Sequence, residues 1–544
     1  MNTCVRCKSQ FEHLPDDIKF YKEYDFPSPE LCPDCRHQNR IAYRNERVLY
    51  RRNCDLCGNL VVSIFSINTP FPVYCSDCWW GNKWDAIFYG CEFDFSRPFF
   101  EQFFELRDKV PRQTLNNSKS INSEFCSQCI GNKDCYLLFA ADENQNSMHS
   151  YWINRCIDVY NSSWLSDCTL CIDLVDAENC YKCVYSQDLI NCSECYFSYD
   201  LIGCKNCFAC AGLRNKDFYI KNQPHTKEEY FKKINSLNLG SYNFYSEVKK
   251  LFRQFHLNIP HKYVHIFNSE KCLGDYISNS NDCNYCFDVF ESEKCSYAFN
   301  LVHQLYNIRD CSFATEARNI YQGMSTAGEN VFFSTLNWFS IDTWYSDLTQ
   351  NCSDVFGCVG LRHKKFCIFN KQYSESDYYN LKKRIIEHMK KTGEWGKFFP
   401  VKYSPFAYNE TIAQDYFPLS KNEVLSRGWK WHNMDQRDFK PQIYQIPDNI
   451  QSVSDNICDE VLACDECGKN YKVLLSELKF YKQMNYPVPR KCTDCRFTER
   501  LKLRNPRKLF NRECAKCLKN IKSTYSPNRL EKVYCEECYL KEVY

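Results

Sequence analysis

No run of eighteen apolar residues occurs anywhere in this sequence, and residues 1–10 hold no apolar segment that could serve as a secretory leader. A membrane-spanning protein is excluded as a reading, and a soluble, cytoplasmic one is the expectation. Charge of one sign is lacking too. Against 67 Asp and Glu stand 69 Lys and Arg, a formal net charge of +2, so any basic footprint must be local. Catalytic signatures are missing: there is no Gly-rich phosphate loop, no G-x-S-x-G and no paired-carboxylate motif. Histidines number 11, and His149, His303 and His363 share no phase, so they read as surface or core residues rather than ligands. Asp188 and Asp200 do share a phase, but two aspartates one period apart read as turn residues.

Cysteine, by contrast, is abundant. The 544 residues include 39 of them, an odd number that cannot pair completely within one chain, in a sequence far longer than a disulfide-stapled secreted domain. With 44% apolar residues the chain can build three or four domains with cores of their own. Sixteen cysteines form C-x2-C pairs at the two ends. Cys4/Cys7, Cys32/Cys35, Cys54/Cys57 and Cys75/Cys78 recur, 460 residues on, as Cys464/Cys467, Cys492/Cys495, Cys514/Cys517 and Cys535/Cys538. Two residues between cysteines let one tight turn aim both thiolates at one ion, and two such turns supply the four sulfurs of a closed tetrahedral zinc site. Eight pairs therefore predict about four structural zinc ions per chain, with no position open for catalysis. Pairing in sequence order is simplest, and an interleaved cross-brace stays open.

Between the two sites of each terminal block runs an arginine-rich connector. From residue 36 to 53 six Arg face one Glu, an excess of +5; from 496 to 513 seven Lys and Arg face two Glu, again +5. Arg36, Arg40, Arg44, Arg47 and Arg51 in the first, and Arg496, Arg500, Arg504, Arg507 and Arg512 in the second, are candidate nucleic-acid contacts, arginine being suited to phosphate by its bidentate fork. The competing readings are a solvated face and arginines paired with acidic groups of a neighbouring domain.

The duplication also repeats Phe20-Tyr21-Lys22 as Phe480-Tyr481-Lys482, Pro27 and Pro29 as Pro487 and Pro489, and Arg44-Asn45 as Arg504-Asn505. A C-x2-C, an aromatic-Tyr-Lys, P-x-P, then C-x2-C-R resembles the probable zinc-ribbon domain family. The whole chain resembles large cysteine-rich bacterial proteins that carry this ribbon at each end. Cys78-Trp79-Trp80 with Trp84-Asp85, Arg97-Pro98-Phe99-Phe100-Glu101-Gln102-Phe103, Gly212-Leu213-Arg214, and Phe417-Pro418-Leu419 before Gly428-Trp429-Lys430-Trp431 carry that wider likeness. The resemblance implies zinc binding and brings no biochemical activity with it.

Between the terminal blocks the sequence repeats every twelve residues. Cys156, Cys168, Cys180, Cys192 and Cys204 form one series, and Cys171, Cys183, Cys195 and Cys207 a second three residues later, continued back through Val159 and Ser147 to Cys135. Short apolar segments broken by Asp, Asn and Gly favour strands, so the period predicts a β-solenoid with coils of either 12 or 24 residues. A further stretch keeps the phase through Tyr285, Tyr297, Tyr321, Phe333 and Tyr345, which predicts an aromatic ladder. Both stretches end alike, Gly212-Leu213-Arg214 returning 148 residues later as Gly360-Leu361-Arg362, Cys204 as Cys352 and Asn222 as Asn370. Helix starts follow at Thr226–Glu229 and Ser374–Asp377.

The expected fold is thus mainly β, a duplicated short-period β-solenoid core with capping helices, flanked by double zinc-ribbon modules at both termini. The segments are 1–90, double zinc ribbon; 91–122, helical connector; 123–222, first solenoid; 223–267, capping helices; 268–372, second solenoid; 373–440, capping helix and closing core segment; 441–457, linker; and 458–544, second double zinc ribbon. The expected function is a non-enzymatic zinc-binding scaffold with nucleic acid as the leading partner, a protein as the second, and no membrane; nothing in the sequence sets an oligomeric state. The alternative from another class is a metal-dependent or redox enzyme using the repeated C-x2-C cysteines, against which stands packing, since Ser147 and Val159 occupy the same row.

Overall fold

The computed structural model describes residues 1–301, 305–306, 308–312, 320–324, 326–433 and 439–544. His303 and parts of the expected segments 268–372 and 373–440 lie outside these. The described chain is strand-rich with parallel sheets, and none of its helices is long and apolar enough to cross a membrane. It forms two compact units from non-contiguous segments. Unit 1 takes Met1–Leu115, Val264–Asn433 and Arg507–Leu509; unit 2 takes Asn116–Tyr263, Met434–Pro506 and Phe510–Tyr544. The first terminal module therefore folds with the second repeat stretch, and the last module with the first.

Unit 2 is built on a parallel ladder in which each rung pairs with the one twelve residues on. Phe139, Tyr151, Ser163, Val175, Gln187, Tyr199 and Ala211 follow one another in one nine-stranded sheet without a slip. A second series runs from Ile157 through Thr169, Tyr181 and Ser193 to Lys205 and Asp217. The backbone explains the spacing. Every third residue from 128 to 221 has a positive φ, between 43° at Tyr185 and 70° at Gly131. Such left-handed residues turn a strand sharply, and Asn, Asp and Gly tolerate them best. They recur here as Asp158, Asn161, Asp167, Asp173, Asp176, Asn179, Asn191 and Gly203.

Each triplet then divides its amides three ways. The residue before the left-handed one donates to the next rung, as Ile157 N does to Cys168 O at 3.0 Å, and the left-handed residue donates to the previous one, as Asp158 N does to Gln145 O at 3.0 Å. The third residue is buried, and where the residue twelve earlier carries an acceptor its amide meets that side chain. Cys156 N donates to Asn144 Oδ1 at 2.9 Å, Val159 N to Ser147 Oγ at 3.1 Å and Leu174 N to Ser162 Oγ at 3.1 Å, each acceptor lying twelve residues earlier. The acceptor's own proton is used as well, Ser162 Oγ donating to Tyr160 O at 2.9 Å and Cys168 Sγ to Ser166 O at 3.3 Å. Small side chains that both donate and accept suit such a row, which is why it holds Ser, Asn and Cys. Sulfur also accepts: Lys216 N reaches Cys204 Sγ and Asn222 N reaches Cys210 Sγ, both at 3.5 Å.

Helices follow the rungs. Lys227–Asn235 starts at Thr226 with a complete capping box to Glu229, and Tyr242–Asn258 at Ser241. In unit 1, Glu375–Thr392 starts at Ser374, and Phe99–Arg107 is capped by Glu394, whose carboxylate accepts from Phe99 N and Phe100 N.

The ladder of unit 1 departs from the expected steady phase. Ile277, Val289 and Leu301 are twelve apart, but Ile266 pairs Ile277 and Thr326 pairs Asn337 at a spacing of eleven. Register shifts sit beside Gly274 and Gly328, where a Cβ would stand 1.7 Å from Cys286 O and 2.0 Å from Ser340 O, a closeness only glycine permits. The aromatic column is present: ring centroids of Tyr285 and Tyr297 are 5.9 Å apart, those of Phe333 and Tyr345 4.7 Å, both stacked.

Replacing Ser162 by Ala strands Leu174 N in the interior, an expected loss of about 1–3 kcal/mol in urea unfolding, whereas Ser162→Cys recovers most of it.

Candidate metal centres

Four cysteine groups come together, two in each terminal module: Cys4, Cys7, Cys32 and Cys35; Cys54, Cys57, Cys75 and Cys78; Cys464, Cys467, Cys492 and Cys495; and Cys514, Cys517, Cys535 and Cys538. Within each, all sulfurs lie within 4.8 Å of one another. The pairing is in sequence order, and the interleaved cross-brace is not formed.

Local structure sets each group. The first pair of a group sits on a tight turn, the residue after its second cysteine adopting φ of 63° at Lys8, 77° at Gly58, 73° at Gly468 and 61° at Leu518. That residue's amide returns to the carbonyl of the first cysteine, as Gly58 N does to Cys54 O at 2.9 Å. The second pair opens a helix: Cys32, Cys75, Cys492 and Cys535 are the N-caps of Pro33–Ile41, Ser76–Trp80, Thr493–Leu501 and Glu536–Val543. Backbone amides then aim at sulfur, Cys75 N donating to Cys54 Sγ at 3.2 Å and Cys535 N to Cys514 Sγ at 3.3 Å.

The donors fit a tetrahedral ion. Four thiolates about 2.3 Å from one ion stand about 3.8 Å apart. Across the pairs, Cys7 to Cys32 measures 3.6 Å, Cys57 to Cys75 3.8 Å, Cys467 to Cys492 3.7 Å and Cys517 to Cys535 3.7 Å. Burial opposes ionisation of Cys54, yet the amides of Cys57, Cys75 and Leu56 draw its thiol down to about 6. Cys514 comes down to about 6 and Cys464 to about 7 in the same way. Each group can hold a metal ion, and four sulfurs leave no coordination position for substrate.

The connector arginines point mostly into protein. Arg36 donates from Nε to Asp310 at 2.7 Å, and Arg40 lies 3.4 Å from the same carboxylate, both side chains almost fully buried. Arg44 pairs with Glu46, Arg47 with Asp415 at 2.9 Å, and Arg507 with Asp288 at 2.7 Å. In unit 2, Arg500 donates to Ser163 Oγ at 3.0 Å and His149 O at 3.2 Å; Arg504 pairs with Asp176 at 3.1 Å over the Trp164 ring. Arg496 lies 3.7 Å from Glu477, and Arg512 reaches the carbonyls of Ser526 and Glu531. Of the ten, Arg51 is the exposed one.

Sequence reasoning missed the partners of these arginines. Burial opposes ionisation of Glu477, but His149 and Arg496 outweigh it and hold the carboxyl down at about 2. Its counterpart 460 residues earlier is Asp17, which pairs with Arg309 at 3.1 Å. An acid at both positions of a duplication was the available signal. The repeated aromatic pair docks the same helices: Phe480 stacks on Tyr160 at 3.9 Å, and Phe20 and Tyr21 lie 6.0 and 5.3 Å from Tyr321. The Gly-Leu-Arg motifs receive the residues after the last cysteine. Arg362 donates to Trp79 O at 2.9 Å among the rings of Trp79, Trp80 and Trp84, and Arg214 pairs with Asp200, which accepts from Tyr539.

No family model matches this sequence, and no curated protein does. The two terminal modules stand on their own geometry.

Replacing Cys54 by Ser is expected to remove one metal ion per chain while the other three groups stay filled, read by native mass spectrometry. Asp310→Ala leaves two guanidinium groups buried without their carboxylate and is expected to cost about 3–5 kcal/mol in chemical unfolding.

Proposed function

We propose that this chain is a non-enzymatic scaffold in which four zinc ions hold double ribbons at both ends, each ribbon clamping one β-solenoid, and that it works by binding a protein partner. The observation that carries this reading is the direction of the connector arginines, which spend their charge on buried carboxylates and carbonyls of their own unit. Nine of the ten are thereby turned away from a phosphate backbone, which favours a protein over nucleic acid.

The metal is structural, since four thiolates close the coordination shell and zinc is the ion such sets take in closed sites. The twelve-residue register, with a left-handed residue at every third position, supports one solenoid coil per twelve residues. None of the described cysteines is in a disulfide, which suits a reducing, cytoplasmic compartment.

Binding to mixed RNA and DNA between about 50 and 200 mM salt tests the partner class. The expected result is weak binding that Arg51→Glu leaves unchanged. A tight complex that weakens steeply with salt and is lost in Arg51→Glu would return the function to nucleic acid.

A further inference from the structure

Beyond the sixteen terminal cysteines, unit 2 buries thirteen more: Cys126, Cys129, Cys135, Cys156, Cys168, Cys171, Cys180, Cys183, Cys192, Cys195, Cys204, Cys207 and Cys210. Nine of them stand in two rows set by the twelve-residue register, Cys156, Cys168, Cys180, Cys192 and Cys204 in one and Cys171, Cys183, Cys195 and Cys207 in the other. Along a row each cysteine lies one rung from the next, as Cys195 lies opposite Cys207. The two rows run side by side, because each C-x2-C places one cysteine in each.

This arrangement has a definite chemical preference. Zinc and iron-sulfur clusters need four sulfurs converging on one centre. Among the described residues, groups of three or more mutually close donors are the four terminal ones, and none lies in the ladder. The ladder offers instead rows of cysteines that follow one another rung by rung, in an interior with almost no solvent exposure. A monovalent, soft, closed-shell cation that accepts two sulfurs fits such a row. Charge decides further. An isolated thiolate in this interior is prohibitive, but a chain alternating one cation of charge +1 with one thiolate is neutral and needs no counter-ion.

We propose that the thiol ladder from Cys156 to Cys210 is a binding site for copper(I). In each step one cysteine S–H bond breaks and its proton leaves to solvent, while copper(I) exchanges its acetonitrile ligands for two sulfurs, that of the new thiolate and that of the next cysteine in the row; no electron is transferred. The carbonyls that accept the S–H now, such as Ser166 O from Cys168 and Tyr181 O from Cys183, remain beside the bound cation as dipoles of the favourable sign.

The test uses the full chain with its terminal sites zinc-loaded. It is titrated without oxygen with copper(I) supplied as its acetonitrile complex, in competition with bathocuproine disulfonate. Copper and zinc are counted by elemental analysis, and released protons with an indicator. The expected result is several copper ions bound with about four zinc retained, one proton released per copper, and the luminescence of copper-thiolate held away from water. The combined variant C180S/C183S/C192S/C195S, checked for folding by circular dichroism, should lose about half of the copper or more and keep its zinc. Should that variant fail to fold, Cys183→Val decides, since Val159 already fills the same row; it should lower copper uptake and leave zinc unchanged. No copper uptake, uptake only in step with zinc released, or unchanged uptake in a folded variant would overturn the proposal.

Discussion

A left-handed residue at every third position is the constraint from which the rest of unit 2 follows. It shortens each straight run to three residues, so one amide in three faces neither neighbouring rung. A buried amide without an acceptor costs about 1–3 kcal/mol, and the ladder has many of them. The buried row therefore cannot be filled on hydrophobicity alone. Ser147, Ser162, Ser186 and Asn144 meet the need with oxygen, and Cys204 and Cys210 meet it with sulfur.

The same economy of space governs how the terminal modules attach. Their docking faces combine an aromatic contact with a guanidinium–carboxylate contact that is nearly dry. Removing charge from water is expensive, and geometry as close as that of Arg36 with Asp310 is what compensates it. Such contacts are unforgiving of substitution on one side only, which makes them selective as well as adhesive. Cys32 and Cys492 of the cysteine groups cap the helices Pro33–Ile41 and Thr493–Leu501, which carry these arginines.

Much of this was legible in the sequence, for identifiable reasons. Cysteine spacing translates directly into ligand geometry, because two intervening residues make a turn whatever surrounds it, and all four groups form as the spacing requires. The twelve-residue period likewise survives into register. The direction of the arginines was not legible. A row at spacings of four and three marks one face of a helix, but whether that face meets water or a carboxylate depends on Asp310 or Asp176, hundreds of residues away. The slips beside Gly274 and Gly328 were hidden for a different reason: one residue fewer in a rung leaves the aromatic phase nearly intact while shifting the backbone beneath it.

The crossed assembly of the units bears on how the chain is made. Arg36 and its partner Asp310 are separated by 274 residues. At about 5–20 residues per second, the first module waits on the order of tens of seconds after synthesis before its docking surface exists. Phe20 and Tyr21 lack their partner Tyr321 for that time. Folding of unit 1 is non-local and therefore slow, and its first module is left without a docking surface until the second half of the chain has been made.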